Sequence, residues 1–153
     1  MSISEYIRPD CIVLNMKPSS KNDVFESLST CLRTAGILDD AGMKLLVKKL
    51  KERESLSTTG VGEEWAIPHA SLDGFPKTVI AVGIVPGGVD FASVDDRDVK
   101  VIFMIVGSRA VPRLHIQILA RIVRMCRKKN IREKLMAAKT PDEVIEIFRV
   151  MDD

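Results

Sequence analysis

The sequence predicts an α/β fold, a three-layer sandwich in which a mixed β-sheet lies between helices on both faces. Three observations carry this expectation. Val99–Val106 is nearly continuous apolar sequence, as a central strand covered on both sides requires. Thr78–Val85 is a second short run rich in β-branched residues. Segments with helical spacing of apolar residues come before, between and after such runs. The 153 residues fit a single domain spanning 1–153, which at this length buries roughly two-thirds of its unfolded surface.

In chain order, Cys11–Met16 suits a first strand. Ser20 with Asp23 three residues on reads as a helix cap, followed by the apolar face Val24, Phe25, Leu28, Cys31 and Leu32. Gly36 closes that helix. Asp39 or Asp40 opens another, with Met43, Leu46, Val47 and Leu50 inward and Lys48, Lys49, Lys51 and Glu52 outward. Thr58–Gly62 is turn material, Glu64–His69 a short strand or extended segment, and Ser71–Pro76 a loop. Pro86-Gly87-Gly88 is a strong breaker after the Thr78–Val85 strand. Pro112 sits where a helix starts, with Leu114, Ile118, Leu119, Ile122, Val123 and Cys126 at helical spacing. Ile131–Ala138 is a short helix. A last one has Thr140 as cap, Pro141 at its first position, Glu143 completing the box and Val144, Ile145, Ile147 and Phe148 as its buried stripe.

Composition excludes several classes. With 46% hydrophobic and 29% charged residues the chain is ordinary globular material, and a net charge of +2 is too balanced to imply a nucleic-acid partner. Cys11, Cys31 and Cys126 are widely separated, odd in number and lack a CxxC pair. That pattern points to a reducing cytoplasm, not to a disulfide framework or a structural zinc site. Glu5, Arg8 and Asp10 interrupt any signal-peptide core, and Val101–Val106, the longest strongly apolar run, is far short of a membrane span. A basic stretch after residue 120 (Arg121, Arg124, Arg127, Lys128, Lys129, Arg132, Lys134) reads as a solvated face, or secondarily as a guide for an acidic protein partner.

The chemistry-bearing residues concentrate in Arg53–Ala70, RESLSTTGVGEEWAIPHA. His69 follows Pro68, whose fixed φ stiffens the backbone, so the imidazole is either a mounted reactive group or a structural histidine at a strand end. His115, the only other histidine, falls in the first turn of the helix after Pro112, where unpaired amides favour an anion. Arg53 supplies a guanidinium matched to phosphate geometry, or a cation favourably placed at a helix C-terminus. Glu54 beside it would orient Arg53 or cap the surface. Gly60 and Gly62 lack the lysine and hydroxyl of a nucleotide-phosphate loop and read as a turn, so no nucleotide cofactor is expected. Trp65 is expected to pack beside the site.

These residues resemble a known family. Arg53-Glu54, Ser57–Gly62 and especially Ala66-Ile67-Pro68-His69-Ala70 are similar to the enzyme IIA domain of the fructose–mannitol type in the bacterial sugar phosphotransferase system. That family includes the nitrogen-regulatory phosphocarriers. The likeness continues through Gly88-Val89-Asp90-Phe91, Val99–Val106, His115-Ile116-Gln117-Ile118-Leu119 and Pro141–Phe148, covering nearly the whole chain in order. The resemblance implies a mixed sheet flanked by helices and a phosphohistidine relay. His69 matches the phosphoryl acceptor, with Arg53 and His115 at the positions that surround the group. The implied donor is a histidine-phosphorylated carrier protein of the HPr type, and the acceptor a IIB domain or a regulatory target; no nucleic acid, metal or cofactor takes part.

Glu64 and Trp65 occupy places that commonly hold a glycine and a small aliphatic residue in the family, and Ile116 replaces a leucine. A carboxylate at 64 would oppose an incoming phosphoryl group unless it points outward. With the sequence ending soon after the last helix and no fused IIB or membrane domain read in it, the regulatory branch is expected over a sugar-transport component, although free-standing sugar components also exist. Two further alternatives are an interaction domain that keeps the fold without phosphoryl traffic, and a hydrolase using both histidines with Asp73 or Asp90. For the latter, no HExxH-like ligand spacing is present.

Overall fold

A computed structural model describes residues 2–151. Six strands form one sheet: β1 (Ile7–Val13), β2 (Gly60–Gly62), β3 (Trp65–Ala66), β4 (His69–Leu72), β5 (Val79–Val89) and β6 (Val99–Ser108). Five helices flank it: α1 (Lys21–Thr34), α2 (Asp40–Leu56), α3 (Pro112–Cys126), α4 (Lys129–Ala137) and α5 (Pro141–Met151). The sheet is mixed. β1 runs parallel to β5, β5 antiparallel to β6, and β3 and β4 follow each other along the opposite side of β6, both parallel to it. β2 pairs antiparallel with β3 at the far edge.

The continuous apolar sequence of β6 is explained by its two covered faces. Because successive side chains point to opposite sides of a strand, Ile102, Met104 and Val106 enter one core cluster while Val101, Phe103 and Ile105 enter another. The first cluster is closed by Val24, Phe25, Leu28 and Leu32 of α1 with Leu46 and Leu50 of α2. The second is closed by Ile118 and Ile122 of α3, Ile131 and Leu135 of α4, and Val144, Ile145 and Phe148 of α5. Each fully buried aliphatic or aromatic side chain contributes about 1.5–3 kcal/mol. The expected three-layer arrangement is therefore present.

Local signals behave as the chemistry demands. Ser20 Oγ accepts from the Asp23 amide at 3.2 Å and Asp39 Oδ1 from the Gly42 amide at 2.7 Å, capping α1 and α2. Gly36, at φ 78°, ends the α1 connection in the left-handed region. Thr140 Oγ1 accepts from the Glu143 amide at 3.2 Å, and Pro141 opens α5. The Glu143 carboxylate reaches back to the Lys139 amide at 2.7 Å, one residue earlier than the usual box partner.

Four expectations need correction. β1 begins at Ile7 instead of Cys11 and ends at Val13; Pro9 and the Arg8–Asp10 ion pair mask it, and Pro9 is tolerated because β1 pairs only with β5. The Thr58–Gly62 segment is not all turn, since Gly60–Gly62 is strand β2. Ser71 and Leu72, expected in a loop, continue β4. Pro86–Gly88 does not stop β5; the strand runs on to Val89 through a register shift between Ile84 and Val89, with Gly88 at φ 76°.

Candidate functional site

Pro68, which has no amide hydrogen, separates β3 from β4, and both strands lean on β6. His69 is the first residue of β4 and sits opposite Ile105. Two backbone bonds fix the approach to it: the Ile67 amide donates to the Thr59 carbonyl at 2.9 Å, and the Ile105 amide to the Pro68 carbonyl at 3.0 Å. The imidazole then turns back on its own segment, with Nδ1 2.8 Å from the Ile67 carbonyl. A carbonyl oxygen only accepts, so this contact requires the proton on Nδ1 and leaves the lone pair of a neutral ring on Nε2.

His115 lies in the first turn of α3, its amide bonded to the Val111 carbonyl. Its ring centroid is 5.5 Å from that of His69, with the planes tilted by 58°. The His115 ring is 9% exposed as a residue, and its Nδ1 has no hydrogen-bond partner among the described residues. That nitrogen is packed against Gly107 at the end of β6, where a Cβ would collide with it.

Arg53, near the end of α2, completes the group. Its Nη1 donates to the Ser57 carbonyl at 3.0 Å and lies 3.4 Å from Ser57 Oγ. His69, His115 and Arg53 line one cleft of about 560 Å³ with Leu56, Ser71 and Arg109. Lys49, Arg53 and Arg109 outnumber Glu52 among its charged walls, so the cleft favours an anion. A larger groove of about 630 Å³ lies between α4 and α5 and holds neither histidine. Among the described residues no cluster of three or more His, Cys, Asp or Glu is placed to hold a metal ion.

Burial pushes the His69 pKa below the usual imidazole value; the Ile67 carbonyl works against this, Arg53 lowers it further and Glu54 opposes Arg53. Burial likewise lowers His115, and His69 adds to the effect. The neutral form of both rings therefore predominates at pH 7. Burial pushes the Cys11 thiol up to about 12 and the Cys126 thiol further still, so neither offers a thiolate.

Several neighbours differ from their sequence expectations. Glu54 neither orients Arg53 nor caps a surface: it is buried, and it accepts from Lys21 Nζ at 3.1 Å, the Thr59 amide at 3.0 Å and Thr59 Oγ1 at 2.7 Å. Gly60 and Gly62 serve close approach to the loop after β5, where Cβ atoms would press on Ser93 and Asp95. Glu64 has φ 72°, a conformation that suits glycine. Its carboxylate pairs with Arg97 at 3.1 Å, Lys100 at 3.1 Å and Arg132 at 3.3 Å, and it does not line the histidine cleft. Arg132, expected on a solvated face, is thus largely enclosed. Trp65 is fully buried and stacks on Phe103 at 5.2 Å. Asp73 pairs with Arg109, and Asp90 accepts from the Ala92 amide. Sequence reasoning missed Gly107, although a glycine closing a continuous apolar strand is a visible sign of close approach.

Residues 5–150 match the family model described as "Phosphoenolpyruvate-dependent sugar phosphotransferase system, EIIA 2". The chain belongs to that family. A fructose-specific EIIA component from Haloferax volcanii is 35% identical over 139 residues, which is 91% of this chain and 89% of that protein. A fructose-specific EIIABC component from Bacillus subtilis is 32% identical over 152 residues, 99% of this chain, which spans 24% of that longer relative. Among solved structures, the nitrogen regulatory protein IIA-Ntr from Neisseria meningitidis superposes with a TM-score of 0.87 at 28% identity, covering 95% of this chain and 98% of that one. The IIA mannitol component in a complex with phosphorylated IIB from Escherichia coli shares the fold, with a TM-score of 0.77 at 21% identity over 94% of this chain and 99% of that one. The EIIA 2 family thus accounts for the mixed sheet and for the order of its elements. No helix among the described residues is long and apolar enough to cross a membrane.

Proposed function

We propose that this EIIA 2 protein is a phosphocarrier in which His69 accepts a phosphoryl group from a histidine-phosphorylated carrier protein of the HPr type and passes it on. The observation that carries this is the Nδ1 contact to the Ile67 carbonyl, which leaves Nε2 as the nucleophile inside a cationic cleft. The Nε2 lone pair attacks phosphorus, the donor's N–P bond breaks, and its electron pair returns to the donor imidazole. The ring of His69 then keeps its Nδ1 proton and gains positive charge, which the Ile67 carbonyl stabilises. Onward transfer is the same displacement in reverse, with an acceptor as the nucleophile. Such transfer depends mainly on alignment and charge stabilisation. Arg53 supplies charge, and His115 supports the group through Nε2, its Nδ1 being shut against Gly107. No nucleotide, metal or other cofactor is needed for exchange between two phosphoramidates.

The acceptor is a IIB domain, in keeping with the Escherichia coli mannitol complex, or a regulatory target, in keeping with the IIA-Ntr relatives. Residues 1–153 act as one IIA unit in the cytoplasm, consistent with three free cysteines. Incubation with a phosphorylated carrier should yield an acid-labile adduct on the native protein and none on His69→Ala. An adduct retained by His69→Ala would overturn the assignment. Transfer to a IIB partner marks the transport branch; phosphorylation-dependent binding of other proteins without such transfer marks the regulatory one.

A further inference from the structure

Glu54 is a buried carboxylate that the phosphoryl relay leaves without a task. Lys21 from α1 supplies its counter-charge at 3.1 Å while also donating to the Phe91 carbonyl at 3.0 Å. Both carboxylate oxygens are directed at one residue: Oε1 accepts the Thr59 amide at 3.0 Å and Oε2 the Thr59 hydroxyl at 2.7 Å. Thr58 is set alongside, its hydroxyl donating to Phe91 at 2.6 Å and accepting from the Gly60 amide at 3.0 Å. The Thr59 carbonyl in turn receives the Ile67 amide at 2.9 Å, and the Ile67 carbonyl receives His69 Nδ1 at 2.8 Å. Four residues are thus linked in series by hydrogen bonds: Thr59 donates to Glu54 and accepts from Ile67, and Ile67 in turn accepts from His69, the link passing through the backbone of each residue. Such a series transmits position: fixing Thr59 fixes where the Ile67 backbone sits.

We propose that Glu54 is a positioning residue for His69, holding the imidazole in its Nδ1-protonated form through Thr59 and Ile67. This rests on His69 being the phosphoryl acceptor. The consequence is tautomer selection at a distance: with Thr59 anchored on two sides, its carbonyl holds the Ile67 amide, and the Ile67 backbone, with Pro68 after it, keeps the Ile67 carbonyl aimed at Nδ1. Released, the 57–60 segment lets that carbonyl turn away, and the proton is shared between both ring nitrogens. The adjacent residues divide the labour, since Arg53 holds Ser57 and Glu54 holds Thr59.

The test uses Glu54→Ala and Glu54→Gln in the full chain, reading the ring nitrogen-15 shifts of His69 in the unphosphorylated protein and then the rate of phosphoryl uptake from a phosphorylated carrier. Glu54→Ala is expected to move both ring shifts toward the tautomer average and to slow uptake about 10- to 100-fold. Glu54→Gln keeps an acceptor for the Thr59 amide and should retain most of the native ring shifts. A folded Glu54→Ala protein with native ring shifts overturns the proposal. Should that variant fail to fold, Thr59→Val removes the 2.7 Å bond alone and is expected to shift the ring signals part-way; unchanged signals there also overturn it. Because the shifts are read before any phosphoryl transfer, failure of the native protein to accept a group would sink the carrier function without touching this result.

Discussion

Gly107 and His115 are in such close contact that a methyl group on the glycine would occupy the space of the imidazole Nδ1. The requirement is for space, because Gly107 is not among the residues with positive φ. Gly107→Ala is expected to displace the ring from its seat and to cost about 1–3 kcal/mol, as overpacking does. A lowered denaturation midpoint with an unchanged slope, together with slower phosphoryl transfer, is the expected pair of results.

His115→Ala should separate the two halves of the relay. On the proposed carrier function the nucleophile on His69 is intact, so uptake persists, while a group proposed to stabilise transferring charge is lost. Onward transfer to an acceptor is expected to fall by about 100-fold, in the range seen when one such donor is removed. Single-turnover measurements of each step decide this, and equal loss in both would count against a supporting role for His115.

The pH dependence follows from the direction of the histidine shifts. On the proposed mechanism uptake needs a neutral His69, and burial holds its pKa below the ordinary value of about 6.5. The rate should decline at a lower pH than an ordinary imidazole would give, and a proton titration of the His69 ring signals checks this independently. Stability has the same sign. Below pH 6.5 the unfolded chain binds more protons at positions 69 and 115 than the folded one, so stability falls as pH drops through this window and is regained above it.

Glu64→Gly should leave phosphoryl uptake unchanged. The left-handed backbone at 64 costs a non-glycine residue about 1–2 kcal/mol, which the substitution relieves. Loss of the pairs to Arg97, Lys100 and Arg132 offsets that gain. A thermal melt is expected to move little, and a faster uptake rate would mean that the carboxylate reaches the cleft after all.

Long periodic segments were legible in the chain because their signals are local. The caps at Ser20, Asp39 and Thr140, and the two-faced strand Val99–Val106, need no knowledge of distant partners. Within residues 57–72 only the extended character of Glu64–His69 was legible, because β2, β3 and β4 are two to four residues long and exist through pairing, β2 with β3, and β3 and β4 with β6 far along the chain. Arg53, His69 and His115 could be named from residue type and resemblance, but their convergence depends on α2, β4 and α3 meeting at one cleft. The burial of Glu54 was hidden for a similar reason: Lys21, which makes it tolerable, comes from another helix.

The two imidazoles belong to different halves of the molecule. His69 begins a strand that packs toward α2, whereas His115 rides on α3, whose apolar face closes the opposite core. The end of β6 touches both, with Ile105 opposite His69 and Gly107 against His115. Their 5.5 Å separation is therefore a gauge of how the two packed layers sit against one sheet edge. A change deep in either core, remote from the cleft, would be registered there as a change in phosphoryl-transfer rate before it registered as a loss of fold.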